Sequence, residues 1–468
     1  GPLHVNGSPV TVDWTESLRD DEATPSRILV SGVFDAAELD RLGFSATTLA
    51  TGPIGVQVRA LGEGFDVDTG DLTLDLTAAA VSLPARLWDK PPGAPAQAAF
   101  RVDRATDGFM LSDITLRSDG VAISGGQASF GADDSLRMAR FDRIRIGDAI
   151  DTSLVAQRRP DQVLDIRLNG AVFEAARYLE DDPTPDAPSS VAAQVPAAPS
   201  QRYAVTIDTA RLRMRGGVDL HNATVVAALR DDILVSLTAQ ALTAGGEPVR
   251  LAMGPRPDDP TGGVAFSTGD AGLALTALTG ADIVVGGEAE ATGVWSPGAR
   301  MNADFNLVMT DFRVVDVPAM AQLLSMVASI QGVADTLSGD GIAITSLEAP
   351  LTLRGDYLTI GESRAAGPAL GFTGSGGFNM DTGEIDLDGV VVPSYGLNSM
   401  WGHLPVVGGL LVSREGEGVV GITFSMDGPI DTAQIGVNPL SALAPGIFRR
   451  IFEPVAPRPS TTVAAGGG

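Results

Sequence analysis

The chain has no cysteine. That excludes disulfides, thiolate chemistry and cysteine metal sites, and it fits an oxidising compartment where stray thiols are hazardous. Histidine is scarce as well. His4, His221 and His403 lie far apart, without His-x-x-x-His or acidic spacing, so no zinc site is expected. Lys90 is the only lysine, and neither a Gly-x-Ser-x-Gly elbow nor a phosphate-binding glycine loop with lysine occurs. Nothing points to catalysis or to a cofactor. Positive charge is in deficit, with 32 basic against 58 acidic residues and a net charge of −26. Such a surface repels nucleic acid and disfavours adsorption of the whole body onto anionic lipid. Aromatic residues are only 5% of the chain; packing by Val, Leu, Ile and Ala favours an extended sheet over one large globular core. Long hydrophobic runs are missing too. The longest, Leu404 to Val412, is too short to cross a bilayer, and no signal peptide is visible. The chain opens mid-pattern at Gly1-Pro2-Leu3-His4-Val5, so an upstream part, with any membrane anchor, is expected to lie outside it.

What is present is alternation. Hydrophobic residues make up 44% of the 468 residues, and 56 glycines and 30 prolines punctuate them. Leu72, Leu74 and Leu76; Ile144 and Ile146; Val205 and Ile207; Leu351 and Leu353; and Ile385 and Leu387 follow period two with polar residues between. Each strand then has one apolar face and one wet face. Turn signals recur about every ten residues, the spacing of an antiparallel meander. The expected fold is mainly β: a long curled antiparallel sheet forming an open groove of the repeating β-groove (β-taco) type, with a few short helices capping or plugging it.

Residues 1–180 read as a β-groove segment with one short helix over Asp35 to Leu42. Residues 181–200 hold five prolines with Ala, Ser and Asp and read as a linker or loop. A second β segment spans 201–310. Residues 311–454 form a C-terminal region, with an amphipathic helix at 318–337 and another candidate at 439–452. Met320, Leu323, Leu324, Val327, Ile330, Ala334 and Leu337 make one stripe of the first, with Pro318 at its start and Gly339 as a stop. These helices plug or cap the sheet, or touch a membrane or partner. A disordered tail is expected at 455–468.

Asp68-Thr69-Gly70 and Asp381-Thr382-Gly383 are echoes that read as equivalent hairpin corners of a degenerate repeat, with Asp133-Asp134-Ser135 as a looser third. Paired triplets of this kind also carry the aspartic-protease dyad. Asp71 and Glu384, however, stand where that dyad needs a hydroxyl, and glycine after Asp-Thr suits a tight turn. Asp66-x-Asp68-x-Gly70-Asp71 superficially resembles a calcium loop, but Thr77 occupies the place of the bidentate glutamate, leaving at most loose calcium binding. Gly374-Ser375-Gly376-Gly377 reads as a turn.

The last third carries a specific series. It runs Asp311-Phe312-Arg313, Pro318-Ala319, Leu337-Ser338-Gly339-Asp340-Gly341-Ile342 and Gly367-Pro368-Ala369-Leu370-Gly371. Then come Val392-Pro393-Ser394-Tyr395-Gly396-Leu397-Asn398-Ser399, Leu404-Pro405-Val406-Val407-Gly408, Gly416-Glu417-Gly418 and Gly428-Pro429. Val437-Asn438-Pro439-Leu440-Ser441-Ala442 closes it. This series resembles the C-terminal portion of AsmA-like proteins, particularly the YhdP-type branch. Asn6-Gly7-x-Pro9, Trp14-x-Glu16 and Gly32-x-Phe34-Asp35 resemble the region upstream. The chain is short for that family, and no N-terminal anchor is visible.

The resemblance implies a bridge-like lipid-transfer protein with no catalytic residues. Such a protein would be anchored in the inner membrane of a Gram-negative bacterium, extend through the periplasm, and move phospholipid or another acyl lipid toward the outer membrane. Its partners would be the inner and outer membranes at the ends, and envelope proteins. Physical chemistry agrees: roughly thirty methylenes at about 0.8 kcal/mol each make bare transit of a phospholipid through water cost on the order of 25 kcal/mol. About 25 to 30 strands spaced about 4.8 Å apart would give a trough of roughly 120 to 140 Å. The expected lipid-groove residues are Leu72, Leu74, Leu76, Val205, Ile207, Leu351, Leu353, Ile385 and Leu387. Trp401, Leu404, Leu410, Phe448, Arg449 and Arg450 are expected to contact a membrane or partner, or to fold back as a cap. The competing readings are a structural β-solenoid, an outer-membrane-protein assembly factor without lipid cargo, and a polysaccharide enzyme on a β-helix.

Overall fold

The structure, a computed structural model, describes residues 1–5, 8–17, 26–42, 46–64, 66–83, 88–179, 201–231, 233–256, 259–298, 301–315, 341–368, 370–393, 422–429 and 432–438. The chain is mainly β, as the alternation predicts. Twenty-four strands form one mostly antiparallel sheet that is not closed into a barrel, three form a small second sheet, and the helices among the described residues are short. The expected helices at 318–337 and 439–452, the linker at 181–200 and the tail at 455–468 lie outside the described residues.

The chain divides into two compact units. The first begins with β1 (Pro2–Val5), β2 (Ser8–Glu16), β3 (Ser26–Asp35), α1 (Ala36–Arg41), β4 (Ala50–Thr51), β5 (Pro53–Glu63) and β6 (Asp66–Asp75). It continues through β7 (Ala80–Ser82), β8 (Asp89–Lys90), β9 (Ala96–Ala105), β10 (Gly108–Ser118), β11 (Val121–Gly131) and β12 (Leu136–Ile146). β13 (Ile150–Arg158), β14 (Val163–Glu174), α2 (Ala176–Leu179) and β15 (Arg202–Arg213) complete it. Strands β4, β7 and β8 make the small sheet. Neighbours in the large sheet pair antiparallel, except that β14 and β15 run parallel from Val163↔Arg202 to Glu174↔Arg213. A parallel pair needs a long crossover rather than a hairpin, and the chain between Glu174 and Arg202 supplies one.

The second unit holds β16 (Asp219–Arg230), β17 (Ile233–Leu242), β18 (Pro248–Arg256), β19 (Asp259–Thr268), α3 (Ala271–Thr279), β20 (Val284–Ser296) and β21 (Asn302–Val314). β22 (Ile342–Arg354), β23 (Tyr357–Ala366), β24 (Leu370–Asn379), β25 (Glu384–Pro393), β26 (Ile422–Pro429) and β27 (Gln434–Asn438) follow. Each pairs antiparallel with the next from β16 to β27.

Helix α1 forms where Asp35 begins a capping box: its carboxylate accepts from Ala37 N at 3.0 Å, and Glu38 accepts from Asp35 N at 2.9 Å. Ser8 also donates to Glu38 at 2.7 Å, and this bond first, then the Asp35 amide, holds the Glu38 carboxyl below its ordinary pKa. Helix α3 was not anticipated. Its sequence, AGLALTALT, has no polar stripe to announce a helix; Asp270 caps it by accepting from Leu273 N at 3.0 Å, and Gly280 ends it in a left-handed turn.

Two expected turns are corrected. Asp68-Thr69-Gly70 lies inside β6, with Thr69 opposite Leu61 and Asp103 and Gly70 opposite Ala60 and Val102. The β5–β6 corner belongs instead to Gly64, at φ +62°. Gly374 to Gly377 lie inside β24, paired with Gly389 down to Asp386, and Gly376 leaves no room for a Cβ against the facing backbone. By contrast Asp381-Thr382-Gly383 is a true corner, closed by Gly383 N to Asn379 O at 2.9 Å. Asp133-Asp134-Ser135 is another, with Ser135 donating to Asp133 at 2.6 Å.

A second feature was not anticipated. Within several strands the alternation changes phase. Phe109 and Leu111 face inward before Asp113, and Ile114 and Leu116 after it; Leu220 precedes Asn222, and Ala223 and Val225 follow; Met309 precedes Asp311, and Phe312 follows. Asp113, Asn222 and Asp311 adopt φ of 52°, 51° and 52°, the left-handed region that Asp and Asn tolerate best among residues with a Cβ. Without the extra residue, every side chain beyond it would swap faces. With it, the strand bends and the apolar side stays inside.

Candidate functional site

The registers align the inward residues into rows that cross each unit. In the second unit, Ala227, Leu237, Met253, Val264, Gly293 and Phe305 stand opposite one another in turn across β16 to β21. The row continues through Leu351, Ile360, Gly376, Leu387, Met426 and Ile435 across β22 to β27. Two of the expected groove residues, Leu351 and Leu387, are members. A neighbouring row carries the other two of this unit: Trp295, Ala303, Leu353, Leu358, Phe378 and Ile385. No polar side chain interrupts either row. The opposite face of β25 shows the contrast, with Glu384, Asp386 and Asp388 exposed.

In the first unit, Trp14, Ile28, Ala60, Gly70, Val102 and Leu111 align across β2 to β10, and Ala128, Ala139, Ala156, Ile166 and Val205 extend the row to β15. Ile207 stands beside Leu168, which faces Leu154. Leu72 lies between Val58 and Phe100, and Leu74 between Val56 and Ala98. Leu76 follows Leu74 by two and closes against Ala96, its amide donating to Ala96 O at 2.9 Å.

Cover differs along this face. Helix α1 and the small sheet sit on β2 to β9. Ala36 and Leu39 of α1, and Ala50, Ala79 and Val81, share a buried cluster with Val10, Phe34, Ile54, Val56 and Leu76. Trp88 reaches a further cluster around Val121, Ile146 and Ile150. Lys90, only 3% exposed, ties this cover down. Its ammonium donates to the carbonyls of Thr77 at 3.2 Å, Pro91 at 2.9 Å and Ala94 at 2.9 Å, using all three protons. Burial lowers its pKa, and Asp75 opposes that shift. In the second unit α3 packs through Ala271 and Leu275 against Val284, Phe312, Ile342, Leu370 and Val391.

Elsewhere the described clusters are built almost wholly of sheet residues: Leu111, Ala128, Ala139 and Ile166; Met253, Trp295, Ala303 and Leu353; and Ile385, Leu387, Met426 and Ile435 with Ala433 from the loop before the last strand. Leu387 and Ile435 also border the α3 cluster. There, most inward side chains stop half-buried. Of the expected groove residues, Leu72 and Leu74 on the roofed strand β6, and Val205, Ile207, Leu351, Leu353, Ile385 and Leu387 beyond it, are all half-buried, and only Leu76 is fully buried. Trp401, Leu404, Leu410, Phe448, Arg449 and Arg450 lie outside the described residues.

Several large rings lie across glycines of the neighbouring strand rather than standing up. Phe141 covers Gly126, Trp295 covers Gly262 and Phe424 covers Gly389; a Cβ at each glycine would collide with the ring. Among the described residues, Trp295 carries the one buried side-chain polar atom without a partner: its indole N–H makes no hydrogen bond.

The charged residues sit on the other face and pair across strands. Arg354 grips Asp304 at 2.9 and 2.8 Å, and Arg143 grips Asp151 at 2.9 and 2.8 Å. Two acids of the calcium-like stretch are likewise paired with arginines, Asp71 with Arg101 at 2.8 Å and Asp66 with Arg104, while Thr69 donates to Asp103 at 2.7 Å. They lie along an extended strand, which does not wrap a cation. Among the described residues no group of three or more His, Asp or Glu is placed to hold a metal, and no helix is long and apolar enough to cross a membrane. No family model, curated protein or solved structure matches the chain.

Proposed function

We propose that the chain is a non-enzymatic carrier surface for acyl lipid, part of a periplasmic conduit of the AsmA-like, bridge-like type between the inner and outer membranes, supporting the integrity of the outer membrane. The observation that carries the reading is the row from Ala227 to Ile435. It is a line of apolar or glycine positions across twelve consecutive strands, mostly half-buried, and among the described residues only Leu387 and Ile435 of it border the cluster that α3 joins. A soluble protein rarely leaves so long an apolar stripe part-wet unless something apolar visits it. Acyl chains are a fitting visitor, because a stripe with almost no polar anchors offers no fixed stopping point and lets methylenes slide. The motif series in the last third adds the envelope setting and the family resemblance.

Native mass spectrometry of the purified chain, with lipid extraction from the same sample, tests this. Several phospholipids per chain are expected, lost in Leu351→Asp and Leu387→Asp variants that remain folded. A folded, lipid-free chain that also fails to take up labelled phospholipid would overturn the reading and favour a structural β-solenoid or an assembly factor.

A further inference from the structure

An apolar stripe that carries lipid by sliding needs no polar contact, yet one polar atom is set into it. Trp295 is 3% exposed, and its Nε1 has neither solvent nor a hydrogen-bond partner. It stands in the inward row between Gly262 and Ala303, among Met253, Leu237, Leu251, Val264, Phe305 and Leu353. Its N–H edge lies over Gly262, the one residue type that leaves space there. Buried indole N–H groups nearly always find an acceptor, and an orphaned donor costs free energy that a passing acceptor would recover. Phenylalanine would fill the same place without that cost.

We propose that Trp295 Nε1 is a registration point for lipid: it donates a hydrogen bond to the carbonyl oxygen at the head of an acyl chain lying on the stripe. The inference rests on the lipid-carrier reading. The ligand chemistry is a carbonyl or carboxylate oxygen joined to a long hydrocarbon, supplied by a glycerolipid ester or by a free fatty acid. The surrounding side chains are apolar, and the Gly254 carbonyl that borders the same space beside Gly262 makes no hydrogen bond to Nε1, so an ester would feel the donor as one specific contact in an otherwise unspecific trough. Because Nε1 has no accessible surface, the carbonyl reaches it only as the covering side chains part. Met253, unbranched and buried in the same cluster, is the neighbour best suited to yield.

The test compares three probes on the full chain and on Trp295→Phe: a diacyl phospholipid, its dialkyl-ether counterpart with the same head group and chains, and a free fatty acid. The wild-type chain is expected to bind ester about tenfold better than ether, and Trp295→Phe to level the two while melting no earlier than wild type. Loss of fatty-acid affinity alone would assign the contact to the free acid. A second readout needs no variant: in ¹⁵N-tryptophan-labelled protein the Nε1–H resonance of Trp295 should shift with ester or acid and not with ether. An ester preference that survives in Trp295→Phe, or an indole signal indifferent to the carbonyl, overturns the registration point and leaves the carrier reading intact. Failure of all three probes to bind the wild-type chain overturns both.

Discussion

Strands β2 to β9 and strands β17 to β23 carry the same alternation and present the same kind of apolar face, yet they end differently. The first stretch is roofed by α1 and the small sheet, and the inward residues beneath them reach full burial: Val10 at 2%, Ile54 at 2%, Val56 at 7%. The second has sheet residues alone around Met253 and Trp295, and Leu351 and Leu353 stop half-buried. Alternation therefore decides which way a side chain points, and what packs over or beside it decides how far it leaves water, as the burial of Met253 and Trp295 without a roof also shows. A closed core and an open stripe are two outcomes of one pattern.

The comparison can be broken most forcefully by charge. Val391→Asp places a carboxylate at a position with 0% exposure and should cost about 3–5 kcal/mol or prevent folding. Leu351→Asp, on the half-buried stripe, should cost about 1–2 kcal/mol, because water already reaches the site. Equal losses in denaturant melts would mean that the stripe is as closed as the core. Next in size is the roof's fastening. Lys90→Met strips three carbonyls of their shared donor and should cost about 2–3 kcal/mol. It should also raise hydrogen exchange in β4, β7 and β8 before the large sheet is affected.

Smaller effects separate the bend from the faces. Asp311→Val, a β-branched residue at φ 52°, should cost about 1–2 kcal/mol, whereas Asp311→Gly should be neutral or slightly stabilising; thermal melts of the pair report whether the left-handed backbone is the requirement. Smallest is the wet face. Hydrogen bonds from Arg354 and then Thr352 hold the Asp304 carboxyl below its ordinary pKa. Its contribution is therefore complete above the unfolded-state value and is lost as pH falls through the depressed one. With both side chains about half-exposed, Asp304→Asn should cost less than about 1 kcal/mol, and urea melts taken across the acid range should converge with wild type.

The inward residues of the strands were legible because period two is a local signal, and the helix after Asp35 because its capping box is local too. What was not legible depended on neighbours. Asp-Thr-Gly occurs twice, once mid-strand at Asp68 and once at a corner at Asp381, and the difference lies with Gly64, which had already taken the earlier turn. The roof escaped notice because β4, β7 and β8 are two or three residues long, below any periodicity. The phase slips at Asp113, Asn222 and Asp311 were readable in principle. Paired inward residues such as Leu111 and Ile114, three apart across an aspartate, are their signature. The orphaned Trp295 N–H could not be read, since it depends on which strand lies beside Gly262.

Those slips also bear on how such a chain can grow or shrink. Each bent strand carries its own left-handed residue and pairs mainly with the strand before and the strand after it. A hairpin copied together with its slip would join the ladder already in phase, adding about 9.6 Å of sheet and leaving every existing row intact. A hairpin copied without it would face the wrong way from the bend onward. The heritable module is therefore the creased hairpin, and length is a quantity that descent can adjust two strands at a time.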